Sequence, residues 1–183
     1  RRAPRADGGA MKLEVHERLR LLSDATQKEY GKLVQKLLAI AFLEAGAESL
    51  TDRSTQGIDL ELVVAGKLLA IEVKTSESGA VALGKKDLEG LAAREEGGAR
   101  AYVAVLGNRF LDEWTFARFF KNELQPAQSY SITQLRPYRD RELERTVAKT
   151  FPEAVLKHAD VAASRGQTAL DQVLAQYPAF RRA

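Results

Sequence analysis

The chain has 183 residues, 45% of them hydrophobic, with a formal net charge of +3 and a pI of about 9.2. This length and composition predict one folded domain with a hydrophobic core. Because there is no cysteine and the two histidines, His16 and His158, lie far apart, the sequence excludes disulfides, thiol catalysis and cysteine- or histidine-based zinc sites, leaving oxygen ligands for any metal.

No apolar run approaches the roughly 18 residues that a membrane span requires, and the first residues lack the apolar segment of a signal peptide. We therefore expect no membrane contact and a cytoplasmic location. Because the net charge is small, a negatively charged partner would have to be recognised by local basic patches.

The chain divides into three predicted parts. Residues 1–10 combine basic residues with proline and glycine and predict a flexible basic arm. Residues 11–120 predict the core, and residues 121–183, punctuated by prolines, predict a helical extension. Apolar spacing predicts helices over 12–22, 24–46, 85–96, 140–150, 153–165 and 168–176, and strands over 48–51, 58–65, 68–75, 101–106 and 113–119.

Two apolar strands separated by a tight turn form the centre of the predicted fold. Residues 58–65 and 68–75 are rich in aliphatic and β-branched side chains, and Gly66 and Lys67 between them suit a two-residue hairpin turn. Such a turn fixes the register of the two strands.

In that register the charged residues of the hairpin gather on one face. Asp59 is expected opposite Lys74, and Glu61 opposite Glu72, all on the same side of the ribbon. The other side predicts a core-facing surface made of Ile58, Leu60, Leu62, Val64, Leu69, Ile71 and Val73.

Asp59 and Glu72 would then be diagonal neighbours with Cβ atoms roughly 7 Å apart, close enough to share a divalent cation. Hard carboxylate oxygens suit Mg²⁺, with Mn²⁺ as a substitute. Glu61 opposite Glu72 would be an unfavourable like-charge pair unless a cation lies between them or Glu61 turns to solvent. The plainer interpretation is a half-exposed hairpin whose polar face meets water.

Polar and basic side chains flank this hairpin. Arg53, Ser54 and Thr55 precede it, where they could hold a phosphate or form an ordinary turn. Lys85 and Lys86 begin the next predicted helix, where cations oppose the helix dipole and so favour an anionic neighbour.

The motif sequence resembles that of a known group of nucleases. Asp59 after Gly57-Ile58, followed by Ala70-Ile71-Glu72-Val73-Lys74, resembles the PD-(D/E)XK nuclease superfamily. Within it, the later segments Leu83-Gly84-Lys85-Lys86-Asp87-Leu88, Ala101-Tyr102-Val103-Ala104-Val105 and Trp114-Thr115-Phe116 resemble archaeal-type Holliday junction resolvases. The likeness covers about residues 31–119. It implies a restriction-endonuclease-like α/β fold, with an αβββαβ core whose central mixed sheet is flanked by helices.

The resemblance implies Mg²⁺-dependent hydrolysis of DNA phosphodiester bonds by a homodimer that presents two active sites to a four-way junction. Asp59 and Glu72 would bind Mg²⁺, with the Val73 carbonyl as an extra ligand. Lys74 would position or help to deprotonate the attacking water and stabilise charge in the transition state. The residues assigned to nucleic-acid binding are Arg53, Ser54, Thr55, Lys85 and Lys86.

The first helix of the core departs from the family pattern. The family carries a glutamate one helical turn after a glycine and eleven residues before another glycine. Here Gly31 and Gly46 fit, but the acidic position is Gln35. Glu29 lies six residues away, about 240° around a helix, so it cannot replace Gln35 on the same face. Gln35 could offer a neutral carbonyl ligand to the metal, which would leave the site one negative charge short.

Three functions are compatible with these residues. The first is a structure-selective DNA endonuclease of the Holliday junction resolvase type. The second is a restriction- or repair-type nuclease that acts on duplex or flap DNA. The third is a DNA-binding module that keeps the fold with a nuclease site weakened by Gln35.

Overall fold

A computed structural model describes residues 7–53, 57–107, 113–126 and 128–183. Its helices are α1 (Asp7–Thr26), α2 (Tyr30–Glu44), α3 (Lys85–Glu96), α4 (Ile132–Leu135), α5 (Arg141–Val147), α6 (Thr150–Arg165) and α7 (Gln167–Leu174). Its strands are β1 (Ser49–Asp52), β2 (Leu60–Val64), β3 (Lys67–Ser76), β4 (Ala80–Ala82), β5 (Arg100–Gly107), β6 (Trp114–Arg118), β7 (Ser129–Ser131) and β8 (Phe180–Arg182). Short 3₁₀ turns cover Gln27–Glu29 and Arg136–Tyr138.

The main sheet has six strands in the order β6-β5-β3-β2-β1-β8. Strands β1, β2 and β3 form an antiparallel meander, β5 lies parallel to β3, and β6 returns antiparallel to β5. The crossover between the parallel strands β3 and β5 contains α3, as a parallel connection requires. This is the mixed sheet flanked by helices that the sequence predicted.

The sheet separates two hydrophobic clusters. One cluster joins it to α1, α2 and the C-terminal helices α5, α6 and α7, and the other joins it to α3, α4 and the small β4–β7 sheet. Strand β5 contributes to both: Tyr102, Ala104 and Leu106 to the first, and Ala101, Val103 and Val105 to the second. The uninterrupted apolar run of this strand is therefore explained by burial on both faces.

The turn of the hairpin is Ala65-Gly66, so the predicted turn at Gly66-Lys67 is wrong. Val64 pairs with Lys67, and φ is positive at both Ala65 (49°) and Gly66 (69°). Positive φ at both central residues defines a type I′ turn, in which glycine favours the second position. Gly66 therefore occupies the second position of the turn rather than the first.

This correction moves the strand register by two residues. Leu60 pairs with Ile71, and the Asp59 backbone N–H donates to the Ile71 carbonyl oxygen, so Asp59 lies beside Ile71 and not opposite Lys74. Glu61 pairs with Ala70 and not with Glu72. Because side chains alternate with a period of two, a two-residue shift leaves each residue of the strands on its predicted face. Residues Leu60, Leu62, Leu69, Ile71 and Val73 accordingly join the predicted core surface.

Ile58 is an exception to the predicted face. It is buried in the cluster under α3 with Ala70, not with Leu60. Strand β2 begins only at Leu60, and Gly57 has a φ of +80°, so strand alternation does not extend back to Ile58.

The segment before β2 is held against α3 by two glycines. A Cβ atom on Gly90 would lie 1.9 Å from the Gly57 carbonyl oxygen, so helix and loop touch backbone to backbone. Glycine inside a helix is unfavourable for helix formation. The close contact with Gly57 explains why position 90 of α3 is nevertheless a glycine. The contact fixes the start of β2, and with it Asp59, relative to α3.

The described residues place part of the predicted arm in α1 and pair two strands of the predicted extension with strands of residues 11–120. Residues 1–6 of the arm lie outside the described residues, and residues 7–10 belong to α1. Strand β8 pairs with β1 in the main sheet, and β7 pairs with β4. The predicted extension therefore packs into the same core as residues 11–120. Within the described residues, no helix combines the length and apolarity needed to cross a membrane.

Replacing Gly90 with alanine should destabilise the protein by about 1–3 kcal/mol, because the new methyl group would collide with backbone and outweigh the gain in helix propensity. Urea unfolding followed by circular dichroism measures this change. Gly9→Ala is the matched control, since Gly9 lies in α1 with no atom within 4 Å of an added Cβ. A Gly90→Ala protein as stable as the control variant would contradict the close contact.

Candidate active site

Glu72 and Lys74 of β3 form an ion-pair chain with Asp87 in the first turn of α3. The Lys74 Nζ atom donates to Glu72 Oε1 and to Asp87 Oδ2, both at 2.7 Å. Asp87 also accepts from the Gly84 backbone N–H at 3.0 Å, which caps the helix. The helix start thus places a second carboxylate on the Lys74 ammonium.

Burial and neighbouring charges determine the ionisation of Glu72 and Lys74 in this group of ion pairs. Burial, and then the nearby charge of Asp59, raise the pKa of Glu72 to about 7, although Lys74 acts in the opposite direction. Burial on its own would lower the pKa of Lys74, but Glu72 and Asp87 outweigh it and raise that pKa. Lys74 is therefore a cation at neutral pH, while Glu72 holds its proton more tightly than an ordinary carboxyl group.

Asp59 lies just before β2, and each of its oxygens has a fixed partner. Oδ2 accepts from the Val73 backbone N–H at 2.9 Å, and Oδ1 lies 3.2 Å from the Nζ atom of Lys32 on α2. Asp59 thereby connects β3 with α2. The structure brings the predicted residues Asp59, Glu72, Val73 and Lys74 together. Asp59 faces α2 whereas Lys74 faces α3, so the prediction that Asp59 shares one face of the hairpin with Lys74 is wrong.

Gln35 belongs to a buried polar network between α2, β1 and α7. Its Nε2 atom donates to Asp52 Oδ1 at 3.2 Å, and its Oε1 atom accepts from Lys32 at 3.1 Å. The Asp52 contact turns the amide so that the carbonyl oxygen faces Lys32. Glu29 is not an alternative acid here, because its carboxylate lies against Gly166.

Lys36 extends the same network to the C-terminal part. Its side chain is only 6% exposed, and Nζ lies 3.1 Å from Asp52 Oδ2 and 2.6 Å from Asp171 Oδ1. Asp171 also pairs with Arg182 of β8 at 2.5 Å. A buried ammonium needs such paired carboxylates, so α7 and β8 support the helix that carries Gln35.

Glu61 does not form the predicted like-charge pair. Its Oε1 atom accepts from Arg53 Nε at 3.2 Å, and its Oε2 atom lies 2.9 Å from Arg94 Nη1. Two guanidinium groups therefore offset its charge. Arg53, assigned to nucleic-acid binding, makes this contact within the chain.

The remaining predicted DNA contacts lie near the start of α3 or outside the described residues. Lys85 and Lys86 are exposed, and they precede Asp87 in the first turn of the helix, beside the ion-pair chain. Lys85 lies 3.6 Å from Glu89. Ser54 and Thr55 lie outside the described residues.

The carboxylate and carbonyl oxygen atoms around Asp59 are of the type that binds a hard divalent cation. Within the ranges that the structure describes, no three acidic or histidine side chains converge as a metal site. Two carboxylates, Asp59 and Glu72, lie close enough for one to raise the pKa of the other. A cation between them would relieve that repulsion, with the Gln35 and Val73 carbonyl oxygens as neutral ligands.

Five residues that contact the site or its support were not predicted from the sequence: Lys32, Lys36, Asp52, Asp87 and Asp171. Asp87 follows Gly84 by three residues, a spacing typical of helix capping, and Lys32 precedes Gln35 by three residues on one helix face. These two could have been found from local spacing. Asp171 lies 135 residues from Lys36 in sequence, and no local pattern predicts that pair.

A scan against protein-family models and a search of curated proteins find no match to this sequence. A search of solved structures finds Hjc, a Holliday junction resolvase from the archaeal hyperthermophile Archaeoglobus fulgidus. The TM-score is 0.50 at 22% sequence identity, and the match covers 63% of this chain and 95% of that chain. The chain has the fold of an archaeal Holliday junction resolvase.

The match confirms the fold class that the PD-(D/E)XK resemblance implied. It covers nearly the whole Archaeoglobus resolvase but less than two thirds of this chain, so more than a third of this chain is additional to the shared resolvase fold. At 22% identity the likeness concerns the fold. The roles of Asp59, Glu72, Lys74 and the other site residues stay predictions.

Replacing Asp171 with asparagine should lower the free energy of unfolding by about 1–3 kcal/mol, because the buried Lys36 ammonium would keep only Asp52 as a charged partner. Urea unfolding at neutral pH measures the loss. Asp160→Asn is the control, since Asp160 is an exposed carboxylate paired with Arg18, and its loss should cost less than about 1 kcal/mol. Equal stability of the two variants would contradict the support of α2 by α7.

The raised pKa of Glu72 predicts a pH-dependent stability in the presence of a chelator. Between the usual pKa of 4.5 and about 7, the folded state binds the Glu72 proton more tightly than the unfolded state does. The resulting stability is present at low pH and lost as pH rises through about 7. Relative to Glu72→Gln, the original protein should therefore lose stability from about pH 5 to about pH 8. A pH-independent difference in urea unfolding between the two proteins would contradict the raised pKa.

Proposed function

We propose that this protein is a metal-dependent DNA endonuclease that hydrolyses phosphodiester bonds, with a branched junction as its preferred substrate. The observation that carries the proposal is the convergence of Asp59, Glu72 and Lys74 at the start of a hairpin within a resolvase fold. Two carboxylates and an ammonium are the groups that phosphate hydrolysis with a hard cation requires.

Lys74 has the role of a permanent cation in this proposal. Its raised pKa keeps the ammonium charged at neutral pH, so it acts by donating hydrogen bonds and by stabilising negative charge on the phosphate in the transition state. Glu72 and Asp87 hold the ammonium from two sides, which orients it before the substrate arrives. Positioning of the attacking water falls to the same ammonium.

Asp59 and Glu72 would hold Mg²⁺, or Mn²⁺ as a substitute, with the carbonyl oxygens of Gln35 and Val73 as further ligands. When bound, the cation would supply charge neutralisation at the phosphate and a more acidic water. Among the described basic residues, Lys85 and Lys86 are exposed beside the site and would contact the DNA backbone. Arg53, Ser54 and Thr55, which precede β2 in the sequence, would do the same.

The proposal includes a homodimer, because symmetric cleavage of a four-way junction needs two active sites.

A specific observation favours one competing function, a DNA-binding module with a weakened site. The position that is acidic in the family is Gln35, and an ammonium already occupies Asp59 Oδ1. More than a third of the chain lies outside the resolvase match, which leaves room for a different substrate, duplex or flap DNA.

A cleavage assay on synthetic DNA separates these functions. The protein is incubated with a four-way junction, a flap and a linear duplex in Mg²⁺, and the products are resolved at nucleotide level. Paired symmetric nicks near the crossover support junction resolution. Cutting of flap or duplex supports the repair- or restriction-type nuclease, and binding without cutting supports the binding module.

Replacing Lys74 with alanine should lower the cleavage rate by at least about a hundredfold while DNA binding is retained, because the charge acts on the transition state. Single-turnover cleavage and a binding titration in Ca²⁺ measure the two effects separately. Lys149→Ala removes an equal charge from an exposed lysine next to Glu153 and should leave cleavage unchanged. Cleavage by Lys74→Ala at the rate of the original protein would exclude the proposed site.

A further inference from the structure

Lys32 joins two of the oxygen atoms proposed to bind the cation. Its Nζ atom lies 3.2 Å from Asp59 Oδ1 and 3.1 Å from Gln35 Oε1. The ammonium therefore occupies the position between a carboxylate oxygen and a carbonyl oxygen at which a divalent cation shared by both would bind. This contact is distinct from the Lys74 chain, which involves Glu72 and Asp87.

Both of these oxygen atoms are held in place by contacts other than Lys32. Asp59 is anchored through its second oxygen, which accepts from the Val73 backbone N–H. Gln35 is anchored through its amide nitrogen, which donates to the buried Asp52. Departure of the ammonium would leave both ligand oxygens where they are, so the pair would be ready for another cation.

Lys32 itself is suited to leave. Its side chain is 43% exposed, compared with 25% for Lys74 and 6% for Lys36. A lysine side chain has a flexible four-carbon stem and a strongly hydrated charge, so it can move into solvent at small cost. Lys32 is therefore the most exposed ammonium of the three and the one that a competing cation could displace most easily.

We infer that Lys32 is a built-in competitor of the divalent cation: its ammonium holds Asp59 and Gln35 until the metal displaces it. This inference rests on the proposed function, because it concerns the same metal site. It makes metal binding weaker than the ligand oxygens alone would allow, so that the protein responds to cation concentration. The Lys32 ammonium also stabilises the Gln35 carbonyl oxygen and the Asp59 carboxylate, because it donates to both.

Mn²⁺ titration without DNA tests the inference, with free Mn²⁺ followed by electron paramagnetic resonance. Lys32→Met should bind Mn²⁺ about threefold to tenfold more tightly than the original protein, because a partly exposed ion pair no longer competes. Lys149→Met, the matched loss of an exposed positive charge, should change the affinity by less than about twofold. Asp59→Asn should abolish the binding and so identify the site.

Gln35→Glu provides a second arm through a double-mutant cycle. The carboxylate that this substitution introduces would add a ligand charge but would also hold Lys32 more firmly. The gain in Mn²⁺ affinity from Lys32→Met should therefore be larger in the Gln35→Glu background than in the original protein. In addition, acylation of Lys32, mapped by mass spectrometry, should increase when Mn²⁺ is added to the original protein.

The outcomes separate this inference from the proposed function. Equal Mn²⁺ affinity of Lys32→Met and the original protein, with loss in Asp59→Asn, overturns the competition and leaves the metal site intact. Binding that Asp59→Asn does not weaken, or no binding by either protein, overturns the metal site and the competition together. If Mn²⁺ binds to Lys32→Met but not to the original protein, Lys32 competes strongly enough to prevent binding, which supports the inference.

Discussion

Asp59 and Glu72 are two carboxylates close enough to repel each other, and the charged residues around them offset that repulsion. Each acid has an ammonium of its own, Lys32 on the side of α2 and Lys74 on the side of α3. Asp87 then shares Lys74, so acids and bases alternate along the site. The pKa of Glu72 stays raised, first because the group is buried and then because of the nearby charge of Asp59. A site with this residual repulsion between negative charges favours an added cation.

The sequence predicted the fold well because its clearest pattern is the alternation of apolar and polar residues along the strands. That alternation does not depend on which residues of the two strands pair. The alternation along β2 and β3 survives a two-residue shift, so the faces of their paired residues are correct even though the turn is wrong. Ile58 and Asp59, which precede β2, lie on the opposite sides from those predicted. The turn itself was misplaced because Ala65-Gly66 and Gly66-Lys67 are both plausible pairs in sequence. Only the positive φ of Ala65 distinguishes them, and a non-glycine residue gives no sign of that conformation.

The charged surroundings of the site were less predictable, since they depend on which helix faces which strand. Asp59, Glu72 and Lys74 follow from strand spacing, but the partner of Asp59 depends on how α2 crosses the sheet. Lys32 carries no motif of its own, and it matters only because its ammonium meets both Asp59 and Gln35. Function here depends on tertiary proximity between groups of ordinary type.

The C-terminal part shares its hydrophobic core with the rest of the protein, and this limits where the chain can be truncated. Residues from α5, α6 and α7 lie in the same cluster as α1 and α2, and β8 closes one edge of the sheet. A fragment that ends before α5 would uncover that apolar surface and leave Lys36 in the interior without Asp171. The smaller archaeal protein is thus a guide to the shared architecture, whereas an autonomous unit of this chain must retain its last helices and strand.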